Sequence, residues 1–412
     1  MGNMKGDTER EYSNLQFVGE RADTGADKRH KKNIAILGTT ESSLTLKNLI
    51  NNVHNPALEK NGKTPWRVAA FIADRDNVTP TIDDIPVLGA QQVRSFYKLG
   101  IIDAVAVTRE VHFFQSQIMS SLVKLSINLD DVYLSRRINL SIVSDDNAAA
   151  LLEPYFSSKY LSYLEFHIAD HCILNCKACE HYSGLVKKPH FPNFKQFSAD
   201  MRRLHEYIDD IGVIRILGGE PLLNPEINEY IKLSRALYPS TNIFVVTNGI
   251  LLPQMPDEFF ATLRSEQAGI HVSSYPPLRN KLEDLHNFLL SKQVNFNIGR
   301  MNEEFTCKQI LTKHNQPREM FLNCYQAHCH NLYEGKIAAC FLPFTTKCFN
   351  EYFGQNLPLD GAIDLYDPSM TTEKIKRGLN SAFARCAYCT PPVPVKWEQV
   401  KLPSVLSDWT HS

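Results

Sequence analysis

Hydrophobic and polar positions divide the chain into stretches of different rhythm. Residues 1–32 mix both charge signs and show no hydrophobic period, the pattern of a flexible lead-in. From Asn33 onward, short apolar runs alternate with helical stretches. Residues 34–37 close on Gly38, 68–72 on Ala73-Asp74 and 140–143 on Ser144-Asp145, with a further run at 101–107. Runs of this length between helical segments predict strands of a parallel sheet, so residues 33–150 are expected to form an α/β domain. A second series begins near Leu161, with strands expected at 161–168, 213–217, 242–246, 270–273 and 294–298. Between its first two strands, Phe197, Met201, Leu204, Ile208 and Ile211 recur at three- and four-residue steps, which predicts one face of a helix behind Ser198 as N-cap. This βα series occupies 155–303. Beyond it, at 304–412, the rhythm is lost and a small irregular α+β domain is expected.

The alternation in 33–150 fits a Rossmann-like unit. Its first turn, Gly38-Thr39-Thr40-Glu41-Ser42-Ser43, lacks the G-x-G-x-x-G spacing. It either caps a helix or offers backbone N–H groups to a phosphate. The run VAAFIADRDN…TIDDIPVLGAQQV…GIIDAVAV resembles the nucleotide-sugar or coenzyme-binding Rossmann domains of some bacterial polysaccharide-biosynthesis enzymes, and that resemblance implies sugar chemistry.

Composition narrows the class. A 43% hydrophobic, 22% charged chain of 412 residues should fold as more than one domain. A net charge of −1 supplies no field that would draw in nucleic acid or an acidic membrane. No run approaches about 18 consecutive apolar residues, and the first residues lack a signal peptide's apolar core, so a cytoplasmic protein with no membrane partner is expected. In that compartment its ten cysteines suit metal or catalytic use rather than disulfides. All ten lie between Cys172 and Cys389, so the N-terminal domain takes no part in whatever they do.

Directly after the first strand of the second series comes Cys172-x3-Cys176-x2-Cys179. Three thiolates so spaced can bind three irons of a cubane and leave the fourth iron open, free to chelate the amino and carboxylate groups of a methionine. A zinc knuckle completed by His171 or His181 is the alternative. Gly218-Gly219-Glu220-Pro221 ends the next strand, where the glycines would leave backbone atoms open to a ligand at the carboxyl edge of a parallel sheet. The two motifs, in this order and at these strand ends, resemble the radical S-adenosylmethionine (SAM) superfamily, which folds as a partial (β/α)6 barrel. The resemblance implies that Cys172, Cys176 and Cys179 hold a 4Fe–4S cluster and that the backbone of Gly218, Gly219, Glu220 and Pro221 meets the SAM amino group. It further implies cleavage of SAM to a 5′-deoxyadenosyl radical, with an electron donor such as flavodoxin or ferredoxin. Ala178 departs from the family, which usually has an aromatic residue there beside the adenine; Tyr182 is the candidate to supply that contact. Thr247, Asn248 and Ser273, at the ends of the third and fourth strands, are candidates for the SAM ribose or carboxylate, or are plain turn and strand-end residues. Arg300, after the fifth, is a candidate for a carboxylate or substrate phosphate, or a solvated arginine.

Seven cysteines follow: Cys307, Cys324, Cys329, Cys340, Cys348, Cys386 and Cys389. The segment HCHNLYEGKIAAC reads as a hairpin turning at Glu334-Gly335. The spacing of Cys324, Gly335 and Cys340 resembles the first half of the SPASM pattern, the auxiliary-cluster domain of many radical SAM enzymes, and Cys386-x2-Cys389 adds a pair able to reach one cluster. This implies a second 4Fe–4S cluster on Cys340, Cys386, Cys389 and either Cys329, deeper in the hairpin strand, or Cys324, at the better spacing, as in the shortened "twitch" version. Zinc on the same four is the rival. Cys307 and Cys348 are left as buried small hydrophobes or as hydrogen-atom donors. The expected function is oxidation of a sugar or nucleotide-linked sugar, with the second cluster as electron acceptor. Its rivals are an epimerase using Cys307 or Cys348, a peptide-modifying maturase, and a non-enzymatic zinc-stabilised binding protein.

Overall fold

The computed structural model describes residues 32–73, 81–109, 115–136 and 148–411; the expected lead-in and the expected strand at 140–143 lie outside them. Among the described residues the N-terminal sheet contains β1 (Lys32–Leu37), β2 (Trp66–Ile72), β3 (Thr81–Ile82), β4 (Ile85–Leu88), β5 (Ala104–Val107), β6 (Val132–Ser135) and β7 (Leu152–Pro154). Their order is β3-β4-β2-β1-β5-β6-β7, with β1 parallel to both β2 and β5. Alternate residues of these strands enter two apolar clusters, one on each face, which is why the strands read as near-continuous apolar runs. After β1, Gly38 takes φ +93° and the helix Glu41–Leu49 begins. The Ser43 hydroxyl donates back to the Leu37 carbonyl at 3.2 Å, so that hydroxyl is spent on its own strand end.

The second sheet holds β8 (Tyr160–Ala169), β9 (Asp210–Gly218), β10 (Asn242–Thr247), β11 (Gly269–Val272) and β12 (Asn295–Ile298), each within a few residues of its expected position. All five are parallel and paired in sequence order, which is the partial barrel. On β8 the residues Leu164, Phe166 and Ile168 pack outward against helices, so Tyr163, Glu165 and His167 share the opposite, concave face. The helix behind β8 runs Phe194–Tyr207 and is capped by Asn193, whose side chain accepts from the Gln196 N–H at 3.0 Å. Ser198 is therefore inside the helix rather than its cap, because Asn193 captures an N-terminal amide one turn earlier. Phe197, Met201 and Leu204 do line the buried face, whereas Ile208 closes the helix and Ile211 belongs to β9.

The C-terminal region is tied into this sheet. β13 (Glu304–Gln309) pairs antiparallel with β17 (Cys389–Lys396) as a separate ribbon. The expected hairpin is β14 (Asn331–Tyr333) and β15 (Lys336–Ala338), turning at Glu334 and Gly335, both at positive φ. β14 docks parallel to β8 through Asn331 and Glu165, and β16 (Ala362–Asp364) continues the sheet beyond β15. The first cluster loop and the later cysteines thus converge on the carboxyl side of β8. No helix among the described residues is long and apolar enough to cross a membrane.

Candidate functional site

The loop after β8 carries Cys172, Cys176 and Cys179, and its backbone is clamped by the end of β9. The Gly219 N–H donates to the Ala169 carbonyl at 2.7 Å and the Glu220 N–H to the His171 carbonyl at 3.0 Å. A Cβ on Gly218 would meet the Ala169 carbonyl oxygen at 2.1 Å, and one on Gly219 the His171 oxygen at 2.2 Å. The two glycines are thus required by close approach of the cluster loop itself, and two amides of this turn are already committed.

Glu220 is fully buried and does not face open space. Its carboxylate accepts from the Thr247 hydroxyl at 2.6 Å, the Asn248 N–H at 2.9 Å and the Leu222 N–H at 3.2 Å. Burial pushes its pKa up to about 7 against these donors. Thr247 therefore holds Glu220. Asn248, beside it, directs its side-chain amide at Cys172 Sγ, 3.8 Å away. Ser273 is half-buried at the end of β11 and its hydroxyl pairs with Tyr275, while Arg300 is exposed.

Tyr182 packs with Phe349, Leu357 and Trp409, and its hydroxyl bonds to Gln309 and Arg385. The aromatic group beside the three cysteines is Tyr275, whose hydroxyl burial and the nearby thiols hold well above its usual pKa; Tyr275 stacks on Trp397 at 6.4 Å and meets Phe305 edge-on at 5.3 Å. Trp397 Nε1 in turn donates to Cys176 Sγ at 3.3 Å, and the Leu174 N–H reaches Cys172 Sγ at 3.3 Å. Without metal, burial raises the thiols of Cys172 and Cys176 to about 12 and that of Cys179 in the same direction.

This donor set fits a cluster. Cubane thiolates each take a separate iron, and Cys172, Cys176 and Cys179 offer three thiols on one loop. N–H groups aimed at two of the sulfurs are the outer-shell contacts such thiolates use.

Residues 166–287 match the radical SAM superfamily. This stretch is a radical SAM domain. Such a domain implies a 4Fe–4S cluster, SAM and a reductant. GTP 3′,8-cyclase of Clostridium acetobutylicum is 31% identical over 140 residues, 33% of this chain and 39% of that protein. The GTP 3′,8-cyclase of Alkaliphilus oremlandii is 32% identical over 105 residues, 24% of this chain and 30% of that one. The chain thus spans about two fifths or less of the length of these curated relatives. The structure of BtrN in complex with AdoMet and 2-DOIA superposes with a TM-score of 0.38 at 14% identity, over 57% of this chain and 94% of that one, a likeness too low to carry an argument.

Apart from Cys329, the remaining candidate cysteines line two cavities. Cys324, Cys340, Cys386 and Cys389 line one of about 310 Å³, together with Cys179 and Cys307. Cys329 stands apart from its lining, beside Glu165 and Arg215 on the concave face of the sheet. Cys307 Sγ contacts the Trp409 carbonyl at 3.5 Å. The second cavity, about 550 Å³, holds Cys348 with His167, Asp170, His181 and Tyr333. There Asp170 accepts from Tyr333 at 2.7 Å and His190 at 2.6 Å, and His167 bonds to His181 at 2.7 Å.

Proposed function

We propose that this radical SAM protein is a two-cluster oxidoreductase that removes hydrogen from a sugar or nucleotide-linked sugar. The observation that carries the reading is the convergence of Cys324, Cys340, Cys386 and Cys389 on one cavity that also touches the first cluster loop at Cys179. Cys172, Cys176 and Cys179 would hold the first cluster and the other four the second, with Cys324 in place of Cys329. When bound with SAM, the first cluster supplies the electron that generates a 5′-deoxyadenosyl radical. The chain's own part is to position and exclude water: Tyr275 and Trp397 cover the cluster loop, and Glu220 locks the end of β10 against it. A second cluster, held by Cys324, Cys340, Cys386 and Cys389, would supply an acceptor for the electron that leaves the substrate radical as its proton is lost, which favours net oxidation.

The curated relatives are named for action on GTP, a sugar-bearing nucleotide, and the N-terminal α/β sheet is of a kind that binds nucleotides or nucleotide-sugars, so a nucleotide-linked sugar is the preferred substrate class. A specific observation also favours a second reading, epimerisation: Cys307 lines the same cavity, whereas Cys348 lies in the other.

Anaerobic reconstitution with iron and sulfide should yield about eight irons per chain, and dithionite with SAM should release 5′-deoxyadenosine. Joint replacement of Cys324, Cys340, Cys386 and Cys389 by Ala should remove about four irons and spare the deoxyadenosine. Four irons in the unmodified chain would remove the second cluster from the reading. A Cys307→Ala chain that still turns over a sugar to its oxidised product excludes the epimerase.

A further inference from the structure

Arg385 immediately precedes Cys386 and is completely buried. Its guanidinium donates to Gln309 Oε1, to the Tyr182 hydroxyl at 3.4 Å and to Thr346 Oγ1 at 3.4 Å. The remaining arm points at Cys389 Sγ, 3.8 Å away. Among the described residues the guanidinium's own hydrogen-bond partners are thus neutral unless Cys389 is a thiolate, while the exposed Asp360 carboxylate accepts from the Arg385 backbone N–H at 3.3 Å. The nearby buried carboxylate, Glu180, is paired with Lys308 at 3.1 Å, so those two charges answer each other and Arg385 is left over. A buried charge without an opposite charge costs several kcal/mol, and arginine is almost never fully buried unless paired. The anion that completes this site belongs in the cavity that Arg385 lines with the four cysteines.

We propose that Arg385 is the counter-charge of the auxiliary cluster: it holds the cysteine-bound anion in place and sets its potential toward electron uptake. This rests on the two-cluster reading and goes beyond it by naming the residue that makes the second cluster an acceptor. Reduction adds negative charge to the cluster, so a fixed cation at its sulfur favours the reduced form, and hydrogen bonds to sulfur act in the same sense. The guanidinium also joins the two cluster loops, because Tyr182 follows Cys179 by three residues and shares Gln309 with Arg385.

The test is an EPR-monitored redox titration of the reconstituted full chain, comparing wild type with Arg385→Met and Arg385→Lys, with iron counted in each. Arg385→Met should shift the auxiliary wave to lower potential and leave the SAM-cluster wave in place, while Arg385→Lys should stay near wild type. If Arg385→Met instead retains only about four irons and Arg385→Lys retains about eight, the charge is again what matters. Equal potentials at equal iron in all three chains overturn the proposal, as does loss of the second cluster in both variants alike. A wild-type chain with only four irons fails differently: it removes the two-cluster reading itself, before any variant is compared.

Discussion

Glu220 offers a quantitative test of how the cluster loop is clamped. Burial raises its pKa to about 7, above the ordinary 4.5, although Thr247, Asn248 and Leu222 all donate to the carboxylate. A raised carboxylate pKa means the folded chain binds a proton that the unfolded chain has released. Its contribution to stability is therefore complete below pH 4.5 and is lost as pH rises through 7. With those two values, the metal-free chain should lose about 2 kcal/mol between pH 5.5 and 8.5 from this group alone. Glu220→Gln removes the titration. It also turns an amide N–H₂ toward the Thr247 hydroxyl or the Asn248 N–H, an unmet donor costing about 1–3 kcal/mol. The variant should thus be clearly less stable than wild type at pH 5.5, and the gap should close by about 2 kcal/mol at pH 8.5. Hydrogen exchange of β9 and β10 amides in urea reads the barrel's opening free energy without assuming that the whole chain unfolds together. Parallel pH dependences of variant and wild type would refute the argument, because the proton would then sit elsewhere.

Three further outcomes follow from the cysteine sites. Gly218→Ala sets a Cβ 2.1 Å from the Ala169 carbonyl oxygen and should cost about 1–3 kcal/mol, with iron lost from the first cluster on desalting; wild-type iron retention would contradict the clamp. Trp397→Phe deletes the N–H donor to Cys176 Sγ while keeping the stack on Tyr275, and should lower the SAM-cluster potential at unchanged iron content, read by redox titration. Burial holds Cys172, Cys176 and Cys386 at about 12 in the metal-free chain, against a usual thiol value of 9. Their contribution to stability is present below pH 9 and is lost as pH rises toward 12, so urea midpoints of the metal-free chain should fall across that window and those of the cluster-loaded chain should fall less.

What was legible in the sequence was local. The five barrel strands, the C-x3-C-x2-C loop, the GGEP turn and the Glu334-Gly335 hairpin all declare themselves within a dozen residues, because periodicity, turn chemistry and ligand spacing are short-range signals. The glycines of GGEP read as a backbone left open for a ligand, and the structure gives them a further duty, letting the Ala169 and His171 carbonyls pass. Ser198 was read as a cap because it stands before the periodic residues, and Asn193, five residues earlier, does the work.

What was not legible is the assembly around the cysteines, and the reason is chain separation. Trp397 bonds to Cys176 across 221 residues, Arg385 reaches Tyr182 across 203, and Cys324 meets Cys386 only after three strands and two α-helices have folded between them. Tyr275 closes a strand that was correctly placed, yet nothing in its neighbours marks it as facing the thiols rather than solvent. Deciding between Cys324 and Cys329 shows the limit most plainly. The hairpin argument placed Cys329 near the other ligands by depth along the strand, but the short helical turn Tyr325–His328 stands between the two cysteines, and Cys329 does not line the cavity. Cys329 faces Glu165 and Arg215 on the barrel, and Cys324 is left in the cavity with Cys340, Cys386 and Cys389. Motif spacing marks which cysteines are eligible, and the chain path between them decides that Cys324, not Cys329, lines the cavity.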